Sequence, residues 1–310
     1  MGLLVGVGAC SSDHHVSAWG AAESPRLGAF IETPDLDARL ALLDVETSAH
    51  RLKMTVEIPI SMPHGGGPAR IRGYEGTDSL GRPVHAIRVA TTRAVVMAVG
   101  PLDPGDSARE TATELVPALI VEDGGRAGSA FQSGTDLTGD GTVAVVARSE
   151  AGELVIWRVT PLGAAPYPVA IQGAATRGLD VDGDGRVDLA GDLPRDRGDT
   201  IGARLSDAAT FDGVGFSDRT EGARAFHAAL ADAAAVANAK SDAPPSDEVR
   251  IRRAVERAWH SVLAGRSRVD ALKELQNEAI PARLRASFDR SVSAISSAPG
   301  ARASGTPGGT

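Results

Sequence analysis

Asp180-Val181-Asp182-Gly183-Asp184-Gly185-Arg186-Val187-Asp188 is the stretch on which the reading of this chain turns. Carboxylates stand at positions 1, 3, 5 and 9 of the run, with glycine at position 6. A hard cation that takes about six to eight oxygen ligands is served by this spacing. Alternate side chains converge on one point, and the backbone carbonyl at position 7, here Arg186, adds another oxygen. Gly185 suits a sharp turn in which a Cβ would be penalised. Carboxylates this close repel one another unless a cation neutralises them. Nitrogen and sulfur ligands are absent, and Mg²⁺ prefers fewer protein oxygens, so the expected ion is Ca²⁺. Its expected ligands are Asp180, Asp182, Asp184, Arg186 and Asp188. The same residue types also favour a plain Asp/Gly hairpin turn, and both readings stand at this point.

The flanks separate loop types. An EF-hand would place a bidentate Glu at position 12 between two helices, whereas position 12 here is Gly191. Pro168–Ile171 before the run and Val187–Leu189 within and after it read as strand. The run resembles the Asp-x-Asp-Gly-Asp-Gly-x-x-Asp loops of FG-GAP (VCBS-type) repeats, which occur in integrin-like β-propellers and in many secreted bacterial proteins. A second copy lies 44 residues upstream, Asp136-Leu-Thr138-Gly-Asp140-Gly141-Thr142-Val-Ala144. It departs from the pattern at Thr138 and Ala144 and keeps two carboxylates, so Asp136, Thr138, Asp140 and Thr142 are expected to form the weaker site. Between the copies, Thr142–Arg148, a turn at Ser149–Gly152 and Glu153–Val159 predict a hairpin. The resemblance covers about residues 125–195. A closed propeller needs at least about four blades of roughly 40 residues, and two loop motifs predict only partial or incomplete propeller-like sheets.

Outward from this core the periodicity changes once. Residues 51–60, 69–74, 84–89 and 94–99 are short β-like runs, punctuated by Met62–Pro68 and Pro101–Gly105. Leu36–Leu43 fits a short helix or another strand. Beyond residue 216 the spacing is helical. Thr220 is placed to cap one helix and Ser246 the next, after Pro244-Pro245; further helices are expected over Arg268–Glu278 and Pro281–Ser297. Charge follows the same division: residues 1–218 carry 18 basic and 30 acidic side chains, residues 219–297 carry 13 and 10. The expected fold class is therefore α+β, with a β-rich domain over 26–215 holding both loops and a small helical domain over 216–297. Residues 298–310, rich in Gly, Ser, Pro and Ala, read as a disordered tail.

At the start of the chain, Leu3-Leu-Val-Gly-Val-Gly8-Ala9-Cys10 joins an apolar run and small residues to the only cysteine. It resembles the lipobox of bacterial lipoproteins, which implies lipidation of Cys10, a truncated signal-peptide remnant over 1–9 and a tether over 10–25. The run is shorter than a usual signal sequence and no Lys or Arg precedes it. A buried first strand and a nucleotide-type Gly6-x-Gly8 loop are the alternatives, the latter lacking its third glycine.

Composition sets the outer bounds. One cysteine leaves no partner for an intramolecular disulfide and no multi-cysteine zinc site. The net charge of −8 argues against general nucleic-acid binding. Basic residues are almost all Arg, with Lys at 53, 240 and 273 only. Arg250, Arg252, Arg253 and Arg257 read as a solvated helix face or as a contact for phospholipid, an anionic polymer or the acidic β region, and Trp259 reads as core. His-Glu-x-x-His, Gly-x-Ser-x-Gly and Gly-x-x-x-x-Gly-Lys motifs are missing, and the seven histidines show no catalytic spacing. The expectation is a non-catalytic, calcium-binding lipoprotein of the cell envelope, lipid-anchored at the outer membrane or facing the periplasm, or else secreted. It would act as a binding or scaffold module for another envelope protein or a surface polymer. A secreted or periplasmic hydrolase with a structural calcium site is the alternative.

Overall fold

The computed structural model describes residues 35–63, 65–77, 80–100, 119–121, 132–149, 152–194, 198–239 and 245–298. Cys10, the run before it, the tether and residues 299–310 lie outside these. The class is α+β: three sheets and five helices among the described residues, with no sheet closed into a barrel.

The first sheet is an antiparallel meander of β1 (Lys53–Met62), β2 (Gly67–Thr77), β3 (Pro83–Thr91) and β4 (Val95–Val99). The second pairs β5 (Leu119–Val121), β6 (Val143–Ser149), β7 (Leu154–Thr160) and β8 (Gly163–Pro166) in order. The third takes the order β10-β11-β12-β13-β9, from β9 (Val169–Ala170), β10 (Arg177–Leu179), β11 (Asp188–Asp192), β12 (Ser206–Phe211) and β13 (Phe216–Ser217). Only the β13–β9 pairing is parallel among these.

The sheets stack, and the alternation of side chains along each strand shows how. Val143, Val145 and Ala147 of β6, with Val155, Trp157 and Val159 of β7, pack on Ile71, Ile87, Val89 and Met97 of the first sheet. Their neighbours Ala144, Val146, Leu154 and Ile156 face the other way, onto Leu189, Ala209 and Phe216 of the third. A strand buried on both faces has no polar positions to spare, which is why β6 and β7 read as nearly continuous apolar runs. Truncating fully buried Trp157 to Ala would cost about 3–5 kcal/mol on core precedent.

Helices cover both outer faces of this stack. The 36–43 segment resolves as a helix, α1 (Leu36–Ala49), started by Asp35, whose carboxylate accepts from Asp37 N at 3.1 Å. Leu36, Leu40 and Leu43 sit one face apart and pack on Ala90, Val95 and Ala98 of the first sheet. Buried Arg88 reaches across this interface to Glu46 at 3.0 Å and, within its own sheet, donates to Val99 O at 2.6 Å. At the opposite end come α2 (Glu221–Ala239), α3 (Asp247–Leu263), α4 (Arg268–Gln276) and, after a 3₁₀ turn, α5 (Arg285–Ser297). Thr220 and Ser246 cap α2 and α3 as expected, accepting from Ala223 N and Val249 N. Ile201 and Ala203 from the β11–β12 connection join the apolar core of α3, α4 and α5, with Leu193 and Leu205 packed against it. Trp259 lies in that core and donates its Nε1–H to Ser206 O at 2.7 Å.

Candidate metal centre

The 180–188 run joins the first strand of the third sheet's meander, β10, to the second, β11. Asp180 follows the last residue of β10 and Asp188 opens β11. The turn is tied by its own side chains. Asp180 accepts from Gly183 N at 2.8 Å and from Gly185 N at 3.1 Å. Asp182 accepts from Asp184 N, Asp184 from Arg186 N, and Asp188 from Val181 N. Gly183 (φ +77°) and Gly185 (φ +82°) occupy the left-handed region that disfavours a Cβ.

One oxygen each of Asp180, Asp182 and Asp188 lies within 4.8 Å of the others, so these three could hold a metal ion. Asp180 and Asp182 are exposed, whereas Asp188 is 2% exposed. Burial, then the charges of Asp182 and Asp184, push the Asp188 carboxyl up to about 6, against the hydrogen bond from Val181. Like charges at about 4 Å repel by roughly 1 kcal/mol in water and by more where solvent is thinned. Asp184 stands outside the converging trio, with Oδ2 at 3.6 Å from the Arg186 guanidinium.

The upstream loop enters β6, the second strand of its own sheet, and repeats this turn atom for atom at four positions. Asp136 accepts from Gly139 N at 2.7 Å and Gly141 N at 2.9 Å, and Asp140 from Thr142 N at 2.9 Å. Gly139 (φ +70°) and Gly141 (φ +81°) repeat the left-handed glycines. Its centre is different. The Tyr167 hydroxyl sits 3.0 Å from Thr142 Oγ1, 3.1 Å from Asp140 Oδ2 and 3.4 Å from Thr138 Oγ1. Burial acts to raise the Asp140 carboxyl, but hydrogen bonds from Thr142 and Tyr167 outweigh it and hold the group below the usual carboxylate range. The Tyr167 ring is fixed edge-on against Phe211 and Phe216, each at 5.8 Å between centroids.

The two loops touch. Val187 N donates to Leu137 O at 3.1 Å, and a Cβ on Gly139 would come within 2.9 Å of Arg186 Nε. On its other side the downstream loop meets α2, where Gly222 leaves just the room that the Asp182 side chain takes.

Tyr167 carried no sequence signal: it is 25 to 31 residues from the loop it fills and belongs to no motif. A second cluster also escaped the sequence, because its members are 20 and 33 residues apart: Asp207 on β12, His227 on α2 and His260 on α3. The arginines of α3 are partly engaged with the protein, Arg250 with Glu278 and Ala279 O, and Arg253 with Ala237 O. Among the described residues no helix is long and apolar enough to cross a membrane. Comparison of the chain with family models, curated proteins and solved structures gave no match.

Proposed function

We propose that this chain is a non-catalytic, calcium-stabilised binding or scaffold module of the cell envelope, tethered through Cys10. One observation carries the metal reading. The upstream loop makes the same turn with Asp only at positions 1 and 5, so carboxylates at positions 3 and 9 are not needed to form it. In the downstream loop both positions are carboxylate, Asp182 and Asp188, and both join Asp180 in the converging trio. Each of the two accepts one backbone N–H, but the upstream turn closes without them, and a hard cation relieves the repulsion that their convergence adds. Oxygen-only donors on a largely exposed loop suit Ca²⁺ better than Mg²⁺, whose geometry is stricter. The Arg186 carbonyl and Asp184 are the further ligands the loop pattern offers. Stacked four- and five-stranded sheets with an equivalent loop in two of them agree with the resemblance to propeller blades, arranged here as an open stack.

The alternative, a hydrolase with a structural calcium site, would draw on Asp207, His227 and His260. Asp207 and His227 are both fully buried. The cleft between residues 193–205 and α5 is lined by Leu193, Asp199, Leu205, Ser287 and Arg290, and includes neither histidine. The scaffold reading fits this geometry better.

Calorimetric titration of the full chain with CaCl₂ should find one ion, with a Kd of about 10⁻⁴–10⁻³ M, as in extracellular modules. Absence of heat in wild type, or a site that survives Asp188→Asn, would end the calcium reading. The envelope reading is tested separately: labelled fatty acid should enter wild type and not Cys10→Ser.

A further inference from the structure

Where α2 and α3 meet the third sheet, three titratable side chains form a buried chain. Asp207 and His227 are 0% exposed and His260 is 5% exposed. Asp207 Oδ2 accepts from Gln172 N at 2.5 Å, and Oδ1 accepts from Ala208 N at 2.8 Å. Oδ1 also meets His227 Nε2 at 3.1 Å. The other nitrogen of that ring, Nδ1, lies 3.0 Å from Nδ1 of His260, with the rings stacked at 5.2 Å between centroids.

An acceptor-only carboxylate requires a hydrogen on His227 Nε2. In the neutral pair His227 Nδ1 then offers a lone pair, and His260 Nδ1–H donates to it. A nitrogen–nitrogen contact of this length holds one hydrogen. If both rings were imidazolium, N–H would face N–H and the contact would be repulsive.

We propose that this chain is an acid-released latch: full protonation of the His227–His260 pair breaks its contact and frees α2 and α3 from β12. On the His227 side β12 contributes Asp207, and the β13–α2 turn contributes Asp218, on which Asp207, Arg219 and His227 act. These carboxylates favour a first proton on His227, so the release depends on the second, at His260. Facing α3, α4, the 3₁₀ turn and α5 contribute Ala271, Leu275, Leu284, Phe288 and Ile295 to the apolar core. Burial, then the charge of His227, hold His260 down at about 3, from an ordinary 6.5. The released ring thus binds a proton that the docked ring refuses between those two values. For a group whose pKa is depressed on docking, the docked state is fully favoured above pH 6.5 and loses ground as pH falls toward 3. One proton taken up on release shifts the equilibrium about tenfold per pH unit in that window.

The test is amide hydrogen exchange of the full chain, read by mass spectrometry between about pH 7.5 and 4.5 and corrected for intrinsic rates. Opening of α2 and α3 should grow about tenfold per pH unit below 6.5 in wild type, while β6 and β7 stay protected. His260→Asn keeps an N–H toward His227 and removes one of the two titrating rings, so its profile should be clearly shallower than that of wild type. Equal steepness in the variant, or unchanged protection of α2 and α3 at low pH, would overturn the latch. Should His260→Asn not fold, imidazole ¹⁵N shifts of wild type decide the matter. A His260 ring still neutral near pH 4.5 in the folded protein supports the latch, and one that titrates near 6.5 overturns it.

Discussion

The loops at 136–144 and 180–188 share a backbone and part company at their centres. Each is closed by a position 1 aspartate that caps two glycine amides, and each enters the second strand of its own sheet. In the upstream copy the centre is filled by the Tyr167 hydroxyl, hydrogen-bonded to two threonines and one aspartate. In the downstream copy one oxygen each of Asp180, Asp182 and Asp188 converges within 4.8 Å. The difference shows that the turn and the centre are separable. Asp and Gly at positions 1, 4, 5 and 6 make the turn, and positions 3 and 9 are where the two centres differ, Thr138 and Ala144 in one and Asp182 and Asp188 in the other.

The largest effect should come from taking the charge out of the downstream centre. An ion that binds only the native state adds about 2.7 kcal/mol at a hundredfold excess over Kd, which for a domain of this size is a melting shift of roughly 5–10 °C. Asp188→Asn should abolish that shift. It should also melt above wild type in chelator, because the Asp188 carboxyl is buried beside two like charges and its ionised form is disfavoured without a cation. Asp136→Ala, by contrast, loses caps to Thr138, Gly139 and Gly141 and should lower the melt by about 1–3 kcal/mol of stability, with the calcium shift intact. Scanning calorimetry of the two variants with Ca²⁺ and with chelator reads both signs. A calcium shift lost in Asp136→Ala and kept in Asp188→Asn would reverse the assignment of the two loops.

How much of this was legible in the sequence depends on the distance over which each feature is built. The Asp/Gly turns are local, so residue spacing alone located Asp180–Asp188 and its weaker copy. The strands β6 and β7 and the caps Thr220 and Ser246 were legible for the same reason. The periodicity of Leu36–Leu43 fitted helix and strand alike; the cover it provides for Ala90 and Ala98 is what the strand reading lacks. Spacing placed Asp184 among the ligands, but convergence is a matter of side-chain direction, and the carboxylate of Asp184 turns to Arg186. Tyr167 and the Asp207–His227–His260 chain depend on which sheets and helices stack, and no short-range pattern encodes that.

A smaller effect is expected at the upstream centre. Tyr167→Phe keeps the ring packing on Phe211 and Phe216 and removes the hydroxyl that Asp140, Thr138 and Thr142 share. Denaturant unfolding should show a loss of about 1–2 kcal/mol, the cost of leaving partly buried partners unpaired. Calorimetry should still count one calcium, because Thr138 and Ala144 supply no carboxylate at positions 3 and 9. A second ion in this variant would mean that the hydroxyl alone had kept the loop empty, and that positions 3 and 9 do not set the difference.

The smallest effect tests a contact of the downstream loop, its seat against α2. A Cβ at Gly222 would run into the side chain of Asp182, so Gly222→Ala has to displace that carboxylate from its place beside Asp180 and Asp188. Two consequences oppose each other. Alanine favours the helix by up to about 1 kcal/mol over glycine, which should hold or raise stability in chelator. Asp182 leaves the trio, which should weaken calcium binding by about 1 kcal/mol, or roughly fivefold in Kd, the cost of one mispositioned ligand in an exposed site. The variant should therefore be at least as stable as wild type without calcium and gain less from adding it. Equal calcium affinity in the two proteins would show that Asp182 is not a ligand, and would leave Asp188 at position 9 as the one carboxylate of the trio that distinguishes this centre from the one Tyr167 fills.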